Sequence, residues 1–313
     1  MKNLRIPLTV PAKSRLEYQK NYSLLTANSG RLLLVAGDQK VEHLNKDFFG
    51  PGIAPEDNNP EHLFKIAAAS KGGVLATHLG LISRYGDDYR QVPYIVKMNG
   101  KTNLGGEKNS SRLWWRVEDI INFKKQSKLK IAGIGYTVYL GGEYEAEMLA
   151  EIAQGIYDAH QAGLTAVLWM YPRGKNIKEE DIKTIAGGAG VAAALDADFV
   201  KVKYPYDSKQ KNSAIKFREA VEAAGRTKII CVGGSKRSVK ELLESVESQV
   251  KTAGTNGLAI GRNLHQRSLN EATRLSLALG AILFHDKTAK EALTIYNRKE
   301  PVMKKSSKFL GIF

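Results

Sequence analysis

The chain has very little cysteine: Cys231 is the only one among its 313 residues. A single thiol excludes an intramolecular disulfide and is typical of a reducing compartment. No apolar run approaches the roughly 18 residues that a membrane-spanning helix needs. The first thirty residues also lack the apolar stretch of a signal peptide. We therefore expect a cytoplasmic protein with no membrane partner.

Motifs of metal-dependent and nucleotide-dependent enzymes are also missing. None of the six histidines belongs to a HExxH or similar pair. The sequence contains no GxSxG nucleophile elbow, no P-loop and no strand-linked GxGxxG. Cys231 lies within a predicted strand, so we expect a core residue rather than a catalytic thiol. These absences predict a protein without a metal and without a cofactor.

Charge is the unusual feature of the composition. Lysine and arginine number 47 against 32 aspartates and glutamates, a net charge of +15 that favours anionic partners. The basic residues are spread along the chain, and aromatic residues are not interleaved with a basic stripe. Dispersed charge is more typical of a solvated surface. No nucleic-acid partner is therefore expected, and an RNA-binding barrel is kept as a remote alternative.

Short apolar runs alternate with helical stretches such as Glu143–Gly163 and Val239–Ala253. Continuous apolar strands separated by helices indicate a parallel sheet that is covered on both faces. Eight such repeats in about 250 residues match an α/β fold of the (β/α)8 TIM barrel type. An open doubly wound sheet is the main alternative. The predicted strands are 32–36, 73–77, 94–98, 131–138, 166–170, 199–203, 228–232 and 257–260.

No Pro-rich or low-complexity linker divides the chain, so we expect a single domain. The predicted barrel covers about 31–282, with an N-terminal extension over 1–30, a C-terminal extension over 283–313 and a polar insertion over 103–130. In a TIM barrel the chemistry lies where strands end and the next loops begin. Polar or aromatic side chains stand at these strand ends, namely Asp38, Lys97, Asn99, Thr137, Trp169, Tyr171, Lys201 and Lys203.

Two lysines alternate with two valines in the sixth predicted strand. Strand side chains alternate between faces, so Val200 and Val202 suit the helix layer while Lys201 and Lys203 point into the barrel. At pH 7 only about one ordinary lysine amine in 2,500 is neutral, and burial beside a second cation would increase that fraction. The alternatives are an edge strand whose lysines reach water, or two phosphate-binding cations.

Trp169, Tyr171 and Arg173 repeat this alternation at the end of the fifth strand. An inward tyrosine beside a reactive lysine can move protons to and from substrate hydroxyls. Aromatic residues on a strand can equally well fill the barrel interior. Because Lys201 lies on the adjacent strand, both interpretations stay open.

Two glycine turns follow the seventh and eighth strands. Gly233 and Gly234 follow Val232, and Gly261 precedes Arg262. Glycines let backbone N–H groups approach an anion closely, and the guanidinium offers a planar fork of donors. The loops after strands seven and eight are the recurrent phosphate site of TIM barrels. Each turn taken alone could be an ordinary turn, but together the two turns predict a phosphate site.

The loop after the first strand offers a carboxylate at Asp38, an amide at Gln39 and a titratable imidazole at His43. The alternative is a helix that is capped by Asp38 and carries Glu42 in its first turn. The residues alone do not decide between proton transfer and helix capping.

Seven segments form a series along the chain: AGDQKVEH, KMNGKT, GIGYTVYLGGEYE, LWMYPRGK, FVKVKYP, VGGSK and IGRNLHQR. In this order they resemble the archaeal-type class I fructose-bisphosphate aldolases. The resemblance runs from about Arg31 to Ala278, and its most specific part is WxYPRG followed about thirty residues later by KxKY. It implies a TIM barrel, a homo-oligomer, no metal and catalysis through a lysine Schiff base.

The resemblance also implies roles for individual residues. Lys201 would form the Schiff base, Tyr171 would act as general acid/base, and Asp38 would assist the carbinolamine and proton steps. The substrate channel would be lined by Gln39, His43, Asp47, Trp169, Arg173 and Lys203. The C1 phosphate of the ketose would be bound by Val232, Gly233, Gly234, Gly261 and Arg262.

The reaction implied by this resemblance is the reversible cleavage of a small-molecule sugar phosphate. Fructose 1,6-bisphosphate would give dihydroxyacetone phosphate and glyceraldehyde 3-phosphate, a step of glycolysis and gluconeogenesis. The alternative is a sibling Schiff-base aldolase, or a transaldolase-type enzyme, that acts on another phosphorylated ketose.

Overall fold

The centre of the molecule is a closed barrel of eight parallel strands, β1 to β8, in a computed structural model that describes residues 4–107, 109–205, 213–234 and 236–298. Each barrel strand pairs with the next one along the chain, and β8 pairs with β1. The predicted TIM barrel is confirmed, and the open-sheet alternative is wrong because the sheet closes on itself. The strands are Leu32–Ala36 (β1), Gly73–His78 (β2), Tyr94–Lys97 (β3), Ile131–Leu140 (β4), Thr165–Pro172 (β5), Phe199–Val202 (β6), Lys228–Val232 (β7) and Gly257–Ile260 (β8).

Helices surround the barrel and connect its strands. Their starts carry ordinary capping signals: the Ser268 hydroxyl accepts a hydrogen bond from the Glu271 backbone N–H, and Thr288 does the same for Glu291. In the described ranges the α-helices are Arg15–Thr26 (α1), Gln39–Glu42 (α2), Glu61–Ala69 (α3), Leu79–Tyr85 (α4), Val117–Ser127 (α5), Glu145–Gln161 (α6), Ile182–Ala194 (α7), Ser213–Lys216 (α8), Arg218–Ala224 (α9), Val239–Glu247 (α10), Arg262–His265 (α11), Leu269–His285 (α12) and Ala289–Asn297 (α13).

The strands separate two apolar cores. In β1, Leu32 and Leu34 face the barrel interior, whereas Leu33 and Val35 face the helix layer. The same alternation in every strand fills the barrel and also buries the helices against its outer surface. Continuous apolar runs therefore serve both faces, which is why they identify the strands in the sequence.

The N-terminal extension closes the amino end of the barrel. The Tyr22 ring of α1 stacks on Phe199 at a centroid distance of 5.6 Å. Tyr18 donates a hydrogen bond to the carboxylate of Asp198, which also accepts from the imidazole of His160. Since this end is plugged by side chains, access to the barrel interior comes from the other end.

The insertion over 103–130 begins at that other end, where Asn103 lines a cavity, and returns to the amino end, where Lys124 pairs with Glu17 of α1. Arg112–Leu113 pairs antiparallel with Asn99–Gly100, and helix α5 follows. The Trp114 ring packs against His78 at 4.8 Å. At the C-terminus, α13 packs on α12 and α10, and the predicted extension beyond residue 298 lies outside the described residues. Within the described residues, no helix is both long and apolar enough to span a membrane.

Candidate active site

Three side chains from neighbouring strands form one layer across the barrel interior. Thr137 on β4 is in register with Trp169 on β5, which is in register with Lys201 on β6. The indole fits because Gly135 has no side chain: a Cβ there would lie 2.6 Å from the Trp169 ring. The carboxyl ends of the strands thus bring the predicted lysine beside the predicted tryptophan.

A cavity of about 290 Å³ opens above this layer. Four of the predicted site residues do not line this cavity and lie behind its wall, namely Asp47, Trp169, Gly233 and Gly261. Residues that the sequence analysis did not select also contribute, namely Glu42, Lys101, Asn103, Tyr139 and Glu179. The full lining is Asp38, Gln39, Glu42, His43, Lys101, Asn103, Tyr139, Tyr171, Arg173, Glu179, Lys201, Lys203, Val232, Gly234 and Arg262.

Lys201 is 5% exposed and reaches the cavity from the barrel interior. Its Nζ lies 5.0 Å from the centroid of the Trp169 ring and makes no hydrogen bond to any other described residue. Burial lowers the pKa of the Lys201 amine, and the carboxylates of Asp38 and Glu42 offset only part of that effect. A larger fraction of the Lys201 amine is therefore neutral than in a solvated lysine.

Two further lysines lie near Lys201: Lys203, which lines the same cavity as predicted, and Lys97 on β3. Lys203 follows the end of β6, is 36% exposed and pairs with Glu179 at 3.3 Å and Glu180 at 2.8 Å. Lys97 is fully buried, and its Nζ lies 5.2 Å from the Trp169 ring centroid.

Lys97 is surrounded by hydrogen-bond acceptors. Its Nζ donates to Thr137 Oγ1 at 2.6 Å, to Asn99 Oδ1 at 3.1 Å and to the Asn99 carbonyl at 3.4 Å. Three acceptors satisfy the three protons of an ammonium group. Burial lowers the pKa of Lys97, as does Lys201, while Glu42 and Asp38 raise it. The net pKa of Lys97 is below its ordinary value, although its three acceptors favour the charged form.

Asp38 is buried at the first turn of α2, where it occupies the N-cap position without making a capping hydrogen bond. The capping alternative is therefore wrong for its side chain, and Asp38 Oδ1 has no hydrogen-bond partner among the described residues. Burial raises the pKa of Asp38, but the cations of Lys201 and Lys97 outweigh it and keep the net pKa below its ordinary value. Asp38 is the ionised carboxylate of the site.

Glu42 is the second carboxyl group in the cavity. Burial raises its pKa, and the nearby Asp38 carboxylate raises it further. Two neighbouring carboxyl groups thus differ in character, one favouring the ionised form and one the protonated form. The sequence contained a signal for this residue, since Glu42 lies one helical turn after Asp38 on the same short helix.

Aromatic rings form the wall on the β5 side. Tyr171 stacks near Tyr139, with ring centroids 6.2 Å apart, and the Arg173 guanidinium lies 4.8 Å from the Tyr171 ring. Burial raises the pKa of the Tyr171 phenol, and the charges of Asp38 and Glu42 raise it further. The phenol therefore favours its neutral form.

The two glycine turns lie side by side after β7 and β8. The Asn263 amide donates to the carbonyl of Gly233 at 3.1 Å and joins the turns. Gly261 makes room for the Gln39 amide, because a Cβ at Gly261 would lie 2.2 Å from Gln39 Oε1. Gly234 has a φ of +72°, a conformation that favours glycine. The residues predicted to bind phosphate thus lie on one surface.

His43 and Asp47 support this surface from the β1 side. The His43 imidazole hydrogen bonds to the Asp47 carboxylate, and Arg262 Nε lies 3.9 Å from the same carboxylate. Gln266 donates to the Asp47 carbonyl at 2.9 Å. Arg262 lines the cavity, and its Nε is buried without a hydrogen bond in the described structure, so this N–H has unused donor capacity.

Comparison with known proteins gives this site its context. The sequence profile of the DeoC/LacD family aldolases matches residues 32–267. The chain belongs to this aldolase family. It is 50% identical over 297 residues to a Methanocaldococcus jannaschii enzyme named fructose-bisphosphate aldolase/6-deoxy-5-ketofructose 1-phosphate synthase, over 94% of this chain and 95% of that protein.

Solved structures agree with this assignment. A fructose-bisphosphate aldolase from Slackia heliotrinireducens superposes with a TM-score of 0.92 at 46% identity, over 96% of this chain and 95% of that one. An archaeal fructose-1,6-bisphosphate aldolase whose catalytic lysine is bound to a carbinolamine intermediate superposes with a TM-score of 0.73 at 30% identity, over 85% and 99%. The predicted family is confirmed: the aldolase is a lyase of the class I fructose-bisphosphate aldolase family.

Other polar groups of the aldolase have structural partners. A larger cavity, of about 1000 Å³, lies at the opposite end of the barrel beneath the N-terminal segment. Its buried polar residues Tyr18 and Asp198 are already hydrogen-bonded to each other. In the described ranges, no group of three or more His, Cys, Asp and Glu side chains could hold a metal ion. Cys231 is buried, and burial raises the pKa of its thiol.

Proposed function

We propose that the aldolase reversibly cleaves fructose 1,6-bisphosphate to dihydroxyacetone phosphate and glyceraldehyde 3-phosphate through a Schiff base on Lys201. The observation that carries this proposal is the Lys201 amine itself. It is buried, opens to the cavity, has a lowered pKa and makes no hydrogen bond to the described residues around it. An amine in this state is a nucleophile near neutral pH.

The first half of the reaction uses the Lys201 amine and a carboxylate. The neutral amine attacks the C2 ketone, and loss of water from the carbinolamine leaves a protonated iminium. Asp38 assists these proton transfers and stabilises the new cation, because its pKa is below the ordinary value and it is ionised. The C1 phosphate binds at the glycine turns and Arg262, where backbone N–H groups and a guanidinium are available.

The second half breaks the C3–C4 bond. Tyr171 acts here as a phenolate: its phenol proton first leaves to solvent, and the phenolate then accepts the proton of the C4 hydroxyl as the electrons of the C3–C4 bond move into the iminium and the aldehyde leaves. The positive charge of the iminium favours the Tyr171 phenolate, whereas the carboxylates of Asp38 and Glu42 raise the pKa of the phenol. The enamine is then protonated at C3 and hydrolysed, which regenerates Lys201. In the condensation direction the neutral phenol donates its proton to the new hydroxyl.

A second candidate is condensation of the same enamine with an acceptor that has no phosphate. The Methanocaldococcus jannaschii relative is named for such a product as well as for fructose-bisphosphate cleavage. One feature of this chain favours this candidate. Glu179 already pairs with Arg173 and Lys203 at the cavity wall, so these two cations do not require a phosphate of the acceptor. Substrate profiling with fructose 1,6-bisphosphate and other ketose phosphates distinguishes the two activities.

Borohydride reduction in the presence of dihydroxyacetone phosphate tests the proposal. We expect an adduct on the peptide that contains Lys201, present with or without EDTA and absent in Lys201→Ala. Lys203→Ala is the matched control, since it removes the other lysine of this strand end and should keep the adduct. Tyr171→Phe should also keep the adduct while losing about a hundredfold or more of the cleavage rate. An adduct that maps to Lys97 or Lys203 would refute the assignment.

A further inference from the structure

The order of the strands places the two ends of a bound ketose on opposite sides of Lys201. Strand β6, which carries Lys201, lies between β5 and β7. The glycine turn after Val232 follows β7, whereas Tyr171 is the second-last residue of β5 and Arg173 comes directly after that strand. A substrate with its C1 phosphate at the glycine turns and its C2 at Lys201 therefore extends its C4–C6 end towards Arg173.

At that end, a carboxylate of the chain already pairs with the cationic side chains. Glu179 Oε1 accepts a hydrogen bond from Arg173 Nε at 2.9 Å, and its Oε2 accepts from Lys203 Nζ at 3.3 Å. Glu179 itself lines the cavity and is 25% exposed. One carboxylate thus bridges a guanidinium and an ammonium group, which is the arrangement that a substrate phosphate would adopt.

The charges of this cluster balance without substrate. Arg173 and Lys203 supply two positive charges, and Glu179 and Glu180 supply two negative ones. An uncharged acceptor enters beside these paired charges, with the Lys101 ammonium group as a further cation over the Tyr139 ring that Arg173 also contacts. A phosphorylated acceptor reaches the same cations only by displacing the Glu179 carboxylate, which costs part of the binding energy that its phosphate provides.

We propose that Glu179 determines specificity for the acceptor half of the substrate by standing in for its phosphate between Arg173 and Lys203. The consequence is a reduced preference for ketoses with a phosphate at C6 over ketoses with a phosphate only at C1. The inference rests on the proposed function, because it takes Lys201 as the point where the ketose is held. It adds a residue that selects among substrates of that site.

The test compares the cleavage of fructose 1,6-bisphosphate and fructose 1-phosphate, which differ only in the C6 phosphate. In Glu179→Gln we expect KM for the bisphosphate to fall about threefold to fivefold, a size typical of a partly exposed ion pair. KM for fructose 1-phosphate should stay within a factor of two. The ratio of kcat/KM for the two substrates then rises in favour of the bisphosphate.

Glu180→Gln is the matched control, because among the described residues Glu180 pairs with Lys203 alone, and it is 59% exposed. It should change the ratio less than Glu179→Gln, and Glu179→Asp should give an intermediate ratio. An unchanged or lowered ratio in Glu179→Gln would overturn the inference. Borohydride trapping with dihydroxyacetone phosphate, which has no acceptor half, is measured on each variant. If no adduct forms in the unsubstituted enzyme, the proposed function itself is refuted.

Discussion

Lys97 and Lys201 approach the same aromatic ring: their Nζ atoms lie 5.2 and 5.0 Å from the ring centroid of Trp169. Holding two ammonium ions so near each other in a buried site is unfavourable, so one of them releases its proton more readily. Lys97 has three acceptors and Lys201 has none among the described residues. Burial lowers the pKa of both amines, but only Lys97 has acceptors that favour the charged form, so we expect Lys201 to be the amine that is neutral more often.

Removing the Lys97 cation should make Lys201 harder to deprotonate. In Lys97→Met we expect the pH midpoint of borohydride trapping with dihydroxyacetone phosphate to move up by about one unit. Trapping at pH 7 then falls, and it recovers towards pH 9 as the Lys201 amine loses its proton. The measurement is the adduct fraction by intact mass across the pH range. Asp38, Glu42 and His78 also surround this site and are unchanged in the variant.

Two variants control for a purely structural effect of this substitution. Lys203→Met removes an outer lysine that is paired with Glu179 and Glu180, and should leave the midpoint nearly unchanged. Thr137→Val removes one acceptor of Lys97 and should shift the midpoint in the same direction by a smaller amount. A lower adduct yield with the midpoint unmoved in Lys97→Met would show that Lys97 only supports the fold.

Gly261→Ala should weaken binding at the glycine turns while leaving the fold largely intact. The new methyl group would lie 2.2 Å from Gln39 Oε1, at the flexible end of that side chain, so Gln39 must move. We expect a loss of about 1–2 kcal/mol in the free energy of unfolding. We also expect a severalfold rise in the dihydroxyacetone phosphate concentration that half-saturates trapping. Urea denaturation and trapping titrations measure the two effects.

Gly187→Ala is the control for adding a methyl group to a glycine. Gly187 lies inside α7, and a Cβ there would meet nothing within 4 Å. We expect this variant to be slightly more stable, by about 0.5–1 kcal/mol, with unchanged trapping. Equal behaviour of the two variants would mean that the Gly261 turn does not contact the substrate.

His160 should make stability fall as the pH rises. Burial lowers its pKa, but the carboxylates of Asp196 and Asp198 outweigh burial and raise it from 6.5 to about 9. A raised pKa means that the protonated imidazole stabilises the folded state fully below pH 6.5 and that this contribution is lost as the pH passes 9. The free energy of unfolding should thus fall by up to about 3 kcal/mol over this window.

Urea denaturation at pH 6.5 and pH 9.5 measures this fall, and His160→Gln is the comparison. Glutamine can still donate one hydrogen bond but cannot carry the charge, so the variant should lose most of the difference between the two pH values. If the two proteins show parallel pH dependence, the His160 cluster does not contribute the predicted proton linkage.

The barrel and the location of the site were predictable from local patterns. Eight apolar runs mark the strands because both faces of a parallel sheet are buried, and polar residues at the end of each run mark the catalytic end. Period-two alternation correctly placed Lys201 inside the barrel. It also placed Lys203 on the side of Lys201, since both line the cavity, but it did not show that Lys203 follows the end of β6 and pairs with Glu179 and Glu180.

Partners across the barrel were decided only by the tertiary structure. Lys97 meets Trp169 and Lys201 although they lie about seventy and one hundred residues further along the chain. Glu179 reaches Arg173 and Lys203 from a loop with no strand or helix period of its own. Local sequence periodicity states which face a side chain takes within its own element. Closure of the sheet determines which charges from distant elements share one desolvated space, and their pKa values follow from that proximity.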